Sequence, residues 1–258
     1  MKLRPCIDIH NGQVKQIVGG SLKDQNDLAK ENFVSDRDAA FFASFYKEKG
    51  LTGGHIIILN AKDSPYYEAS LNQAKSALKA QPGLLQIGGG INADNAGDFI
   101  DNGASHVIVT SYVFSGGIIN YDNLKKLVAA VGKERIVLDL SCKKKGDDYF
   151  VATDRWQKLT DVILNEGTLG ELSAYCDEFL IHAVDVEGKQ SGIEKGVADI
   201  LGKSCRIPVT YAGGVHSLED IELLKKYGHG KVDVTVGSAL SIFGGQLDID
   251  EVINSCKG

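Results

Sequence analysis

The sequence predicts an α/β fold, a (β/α)8 TIM barrel made of two similar halves, and three observations predict it. Short continuous apolar runs alternate with amphipathic stretches, the pattern of parallel strands buried on both faces and of helices covering them. The chain has 258 residues, and eight strand–helix units take about 250. Segments of the first half also return in the second at nearly constant spacing. Leu85–Ile91 is echoed by Val209–Val215, with Gly213 lying 124 residues after Gly89. Val107–Ser111 is echoed by Val234–Ser238, with Val236 lying 127 residues after Val109. Asp8 closes the run Cys6-Ile7-Asp8, and Asp139 closes Val137-Leu138-Asp139, 131 residues later.

The elements follow in order. Strands are expected at Leu3–Ile9, His55–Leu59, Leu84–Gly88, His106–Thr110, Ile136–Leu140, Phe179–Ala183, Pro208–Ala212 and Val232–Gly237, each too short and too uniformly apolar for a helix. Amphipathic helices are expected at Asp36–Glu48, Glu68–Ala80, Tyr121–Val131 and Ser217–Tyr227, among others, with Asp36, Asn92 and Ser217 placed as N-caps. The polar, helix-poor stretches Gly19–Ser35 and Cys142–Arg155 read as loops after the first and fifth strands. At the C-terminal face of a barrel they would lie over the site as lids. One domain is expected over residues 1–258, with half-barrels of about 1–132 and 133–258.

Composition narrows the function. A net charge of −6 argues against nucleic-acid and membrane-surface binding. No run is long enough to span a membrane, and no signal or transit segment is expected ahead of the first strand. Five cysteines without C-x-x-C spacing fit a reducing compartment, and a cytoplasmic location is expected. Cys6 and Cys142 read as packing residues. The six histidines are scattered without metal-ligand spacing, so neither metal nor cofactor is expected.

The repeated glycines suggest anion binding. Backbone N–H groups converging at a loop hold a phosphate best where no side chain intervenes. Gly89 and Gly90 form one candidate cradle and Gly213 and Gly214 the other. Thr110 and Ser111 add hydroxyls beside the first; Gly237 and Ser238 follow the strand beside the second. Two cradles imply a ligand with two phosphoryl ends. An aspartate from each half, Asp8 and Asp139, would face the ligand between them, which suits acid–base work. Neither is followed at once by a helical stretch, which weakens an N-cap reading.

The motifs Pro5-Cys6-Ile7-Asp8-Ile9 with Gly12, Gln86–Ile91, Val137-Leu138-Asp139, Trp156, Ala212–Val215 and Val236-Gly237-Ser238 occur together over nearly the full length. In this combination the chain resembles the phosphoribosylformimino-aminoimidazole carboxamide ribotide isomerases of histidine biosynthesis. The wording of His10–Gln16 and His182–Gly188 resembles the eukaryotic-type branch. The resemblance implies an Amadori rearrangement, in which an aminoaldose ring opens to a Schiff base and loses its C2′ proton on the way to an aminoketose. It assigns Asp8 as the base, Asp139 as the acid and Trp156 as a stacking surface for the imidazole carboxamide. Desolvation and nearby phosphates should push both carboxyls upward.

Three positions depart from the family pattern. Gln16 stands where many members have arginine, and Ala183 where many have threonine after the strand-six histidine. The loop carboxylate aligns only with a gap, to Glu187 or Asp185, which makes Glu187 the reserve acid. His55 and His182 read as supporting residues. The expected partner is a small bis-phosphorylated ribotide, bound by a monomer. Rival readings are the sister cyclase barrel, which needs a glutaminase partner and an ammonia path, an isomerase that also accepts phosphoribosylanthranilate, and a non-catalytic regulatory barrel for bis-phosphates.

Overall fold

The computed structural model describes residues 1–18, 21, 30–154, 156–189 and 191–257. The barrel strands are β1 (Cys6–His10), β2 (Gly54–Ile58), β3 (Leu85–Gly88), β4 (Val107–Val109), β5 (Ile136–Asp139), β6 (Glu178–His182), β7 (Val209–Ala212) and β8 (Asp233–Thr235). They neighbour one another in sequence order, each pair parallel. A parallel bridge between Leu3 and Val234 joins β8 back to the start of the chain, with Arg4 N donating to Val234 O at 2.8 Å and Val234 N to Lys2 O at 3.0 Å. The sheet is thereby closed, and the (β/α)8 barrel holds.

Helices α1 (Ala39–Glu48), α2 (Tyr67–Ala80), α3 (Ala96–Asp101), α4 (Tyr121–Val131), α5 (Glu166–Leu172), α6 (Lys195–Ser204), α7 (Leu218–Tyr227) and α8 (Ile249–Lys257) follow the strands in turn. Ser217 caps α7 in a reciprocal capping box with Asp220, as its sequence suggests. The cap of α1 is Asp38 and not Asp36, because the helix begins at Ala39 and Asp38 is the extended residue whose carboxylate accepts from Phe41 N. Asn95 holds the cap position of α3. Asn92 instead closes the turn before it, accepting from the amides of Asp94 and Asn95.

The barrel interior is layered. At its N-terminal end Arg4 Nε pairs with Asp233 at 2.8 Å, and Glu178 accepts from Gln86 at 3.2 Å and Thr210 at 3.0 Å. Above lies an apolar layer of Ile108, Val137, Leu180 and Ala212, with Ile57 packed against it. The catalytic candidates lie beyond that layer. A larger core fills the space between sheet and helices.

The stretch Cys142–Arg155 is not an irregular loop, apart from Arg155, which lies outside the described residues. Strands Cys142–Lys145, Asp148–Thr153 and Lys158–Ile163 form an antiparallel sheet after β5. Its burial alternates at Tyr149 and Val151 and at Thr160 and Val162, a half-buried strand pattern flanked by the solvated lysines that mask it. After β1, strand Gln13–Ile17 folds back antiparallel and pairs with Glu31–Val34. Residues 19–20 and 22–29 of the expected lid Gly19–Ser35 lie outside the described residues.

Candidate active site

The C-terminal ends of the strands surround a cavity of about 320 Å³. Asp8 and Asp139 line it, as do Gly89, Gly90, Thr110 and Ser111 from one half and Gly213, Gly214, Gly237 and Ser238 from the other. Trp156 and Glu187 reach it from the loops after β5 and β6. The structure thus gathers these candidates at one place, whereas Asp185, the other candidate loop carboxylate, is exposed and accepts from Lys144 N at 2.8 Å.

The two cradles have matching backbones. Gly89 and Gly90 adopt φ of 112° and 67°, and Gly213 and Gly214 adopt 122° and 77°. These left-handed conformations favour glycine. Packing adds a second demand, since a Cβ on Gly89 would collide with Ile58 O and one on Gly213 would lie 2.8 Å from Ala183 O. Each glycine therefore lies against the carbonyl at the end of the preceding strand, β2 in one half and β6 in the other. Ser111 Oγ also accepts from Asp154 N at 3.1 Å, tying the first cradle to the inserted sheet.

Of the ionisable groups that line the cavity, Asp8, Asp139, His182 and Glu187 form one interacting set. Burial pushes the Asp8 carboxyl up to about 7, helped by the Glu187 charge and opposed by His182 and a Gln16 hydrogen bond. Burial also raises Glu187, against the pull of His182. Glu187 Oε2 is buried without a hydrogen-bond partner among the described residues. Asp139 behaves otherwise. Burial alone would raise it, but the His182 charge and hydrogen bonds from His182 and Ser141 hold it below the usual carboxylate range. Ser141 donates to Asp139 Oδ1 from its backbone N at 2.8 Å and from Oγ at 2.7 Å. The expectation that both aspartates are pushed upward therefore holds for Asp8 and is corrected for Asp139.

His182 is the cation of this group. Burial would strip its proton, but Asp139, Glu187 and Asp8 together push it up to about 9. His55, in edge contact with it at 6.1 Å between ring centroids, goes the other way, lowered to about 3 by burial and the His182 charge. Sequence alone ranks both histidines as supporting residues; the distinction between them comes from neighbours far away in the chain.

Trp156 stands at φ 66°, a strained backbone for a bulky residue. Lys143 Nζ donates to its carbonyl at 2.6 Å, and its ring lies 5.8 Å from that of His182. Sequence reasoning missed Lys143, because a run of three lysines reads as solvated. It also missed Lys62, which lines the cavity with its aliphatic stem 3.1 Å from where a Gly90 Cβ would stand. The Cys6 and Cys142 thiols are buried and raised by burial, in keeping with packing roles.

The model of the histidine biosynthesis protein family matches residues 2–248. The chain belongs to this family. Among relatives, the chloroplastic 1-(5-phosphoribosyl)-5-((5-phosphoribosylamino)methylideneamino)imidazole-4-carboxamide isomerase of Medicago truncatula is 53% identical over 257 residues, covering 98% of this chain and 81% of the relative. The isomerase of the same name from Neurospora crassa is 47% identical, covering 95% and 94%. That of Saccharomyces cerevisiae is 43% identical, covering 94% and 92%.

Proposed function

We propose that Asp8 and Glu187 carry the proton transfers of an aldose–ketose isomerisation in this cavity, with Asp139 and His182 as a fixed ion pair beside them. The reaction is that of the histidine-biosynthetic isomerase, conversion of the phosphoribosylformimino-aminoimidazole carboxamide ribotide to its phosphoribulosyl isomer. One observation carries the assignment of roles: Glu187 is raised and its Oε2 has no hydrogen-bond partner among the described residues, while Asp139 is lowered and held by three hydrogen bonds. A group that must donate a proton near neutral pH needs the first environment.

In mechanistic terms, Glu187 protonates the furanose ring oxygen as the ring opens to the Schiff base. Asp8, poised near neutrality, takes the C2′ proton. The enolamine then tautomerises to the ketose. The phosphate groups lie in the two glycine cradles and Trp156 stacks on the imidazole carboxamide, which sets the reacting sugar between the carboxyls. The relatives that carry the isomerase name favour the isomerase over the sister cyclase barrel.

The two matching cradles, one from each half, support a small bis-phosphorylated molecule as the substrate. No helix among the described residues is long and apolar enough to cross a membrane. The five free cysteines support a reducing compartment, which we read as the cytoplasm. A turnover assay with the formimino ribotide, following the absorbance shift, tests the proposal. Conversion lost in Asp8→Asn and in Glu187→Gln supports it, and wild-type rates in either variant contradict it.

A further inference from the structure

Strand Gln13–Ile17 turns back from β1 with Val14 opposite Ile9, and the turn returns Gln16 to the level of Cys6 and Asp8. Gln16 is buried there. Its Nε2 donates to Asp8 Oδ2 at 3.3 Å and approaches Cys6 Sγ at 3.8 Å. An amide beside a carboxylate must present its NH2, because the carboxylate only accepts. The other end of the amide is equally confined, since a Cβ on Gly237 would collide with Gln16 Oε1 and would lie 3.7 Å from Cys6 Sγ. The same amide thus touches the base at one end and a glycine of the second cradle at the other.

We propose that Gln16 is a positioning residue for Asp8, fixing the carboxylate through Nε2, with Gly237 leaving the space that Oε1 occupies. The proposal rests on Asp8 being the base. A neutral amide suits this task better than a cation. A guanidinium in its place would pair with Asp8 and hold it ionised, but as a weak base. The amide supplies direction without that charge. The charged and titratable groups facing Asp8 are Glu187 and His182, with the Cys6 thiol and the Tyr46 phenol alongside. Gln16 therefore serves the proton transfer through its contact with Asp8.

Two substitutions test this, with kcat and KM measured across pH and folding checked by thermal unfolding. Gln16→Met keeps the bulk and removes the donor. It should lower kcat about tenfold or more through misorientation of the base, with KM little changed. The acid limb of kcat/KM should move to higher pH, because a donor favouring ionised Asp8 is gone. Gln16→Glu keeps the shape and adds a like charge, so it should move the limb further in the same direction. On an Asp8→Asn background, Gln16→Met should cost almost nothing more. A raised KM with unchanged kcat and limb would make Gln16 a phosphate contact. An equal loss on both backgrounds would make it merely structural. Either result overturns the proposal. If Asp8→Asn alone kept wild-type turnover, the base assignment would fail and take this proposal with it.

Discussion

Asp139 and His182 form one charged unit on the cavity wall: Oδ1 of the aspartate lies 3.5 Å from Nδ1 of the histidine, and Ser141 Oγ reaches both, at 2.7 and 3.3 Å. The pairing joins the ends of β5 and β6. It keeps the aspartate ionised and the imidazole protonated, since each raises the cost of discharging the other. A carboxylate so held is suited to orienting and balancing charge, which is why we assign proton donation to Glu187.

This makes the two carboxyls separable by pH profile. Glu187→Gln should lose about two to four orders of magnitude in kcat, together with the alkaline limb of the profile, since no acid remains to deprotonate. Asp139→Asn should be slower than wild type but keep an alkaline limb. His182 should titrate lower in that variant, which an NMR titration of its ring protons would show. The reverse pattern, with the limb lost in Asp139→Asn, would return the acid role to Asp139.

Asp8 should cost the fold stability that function requires. Its carboxyl titrates at about 7 in the folded protein against an ordinary 3.8. A native value above the unfolded one means that its stabilising contribution is full below pH 4 and is lost as pH rises toward 7. Asp8→Asn should therefore be more stable than wild type at pH 8, by up to about 4 kcal/mol. Cavity water will screen the half-buried group and reduce that figure. The difference should vanish near pH 4. Urea melts at both pH values check it, and a destabilised variant at pH 8 would contradict the electrostatics.

Trp156→Ala should weaken substrate binding about ten- to hundredfold, as expected from loss of one stacked base, while kcat falls less. Lys143→Met, which frees the Trp156 carbonyl, should reproduce part of that loss. Inhibition constants for the free imidazole carboxamide ribotide provide the readout. Wild-type binding in Trp156→Ala would remove the indole from the ligand site.

The cradles are best tested by hydroxyls. Valine at Gly89 or Gly213 would strike the carbonyl of Ile58 or Ala183 and damage the barrel itself. Thr110→Val and Ser238→Ala instead remove one donor from each half. Each should raise KM about tenfold or more, the value of a hydrogen bond to a charged group, with little change in kcat. An effect from one half alone would contradict a ligand held by both.

The barrel was legible because strands such as Ile136–Asp139 and Val209–Ala212 are buried on both faces and read as uninterrupted apolar runs. The cradles were legible because they occur twice. The sheet inserted after β5 was not, since Lys143–Lys145 and the turn before Asp148 obscure the alternation of Tyr149 and Val151. The charge state of Asp139 was illegible for another reason. It depends on His182, 43 residues away in sequence and on the adjacent strand. Gln16 is similar, for its partners Asp8 and Gly237 come from opposite ends of the chain and meet only when the barrel closes.

The central claim is that Asp8 removes the C2′ proton of the bound aminoaldose. Turnover of substrate deuterated at C2′ tests it most directly, with the label followed by NMR. Wild-type protein should turn over the labelled substrate more slowly than the unlabelled one and release deuterium into water. Asp8→Asn should convert the substrate and release its label about two to four orders of magnitude more slowly. Label loss from C2′ undiminished in Asp8→Asn would contradict proton abstraction by this residue.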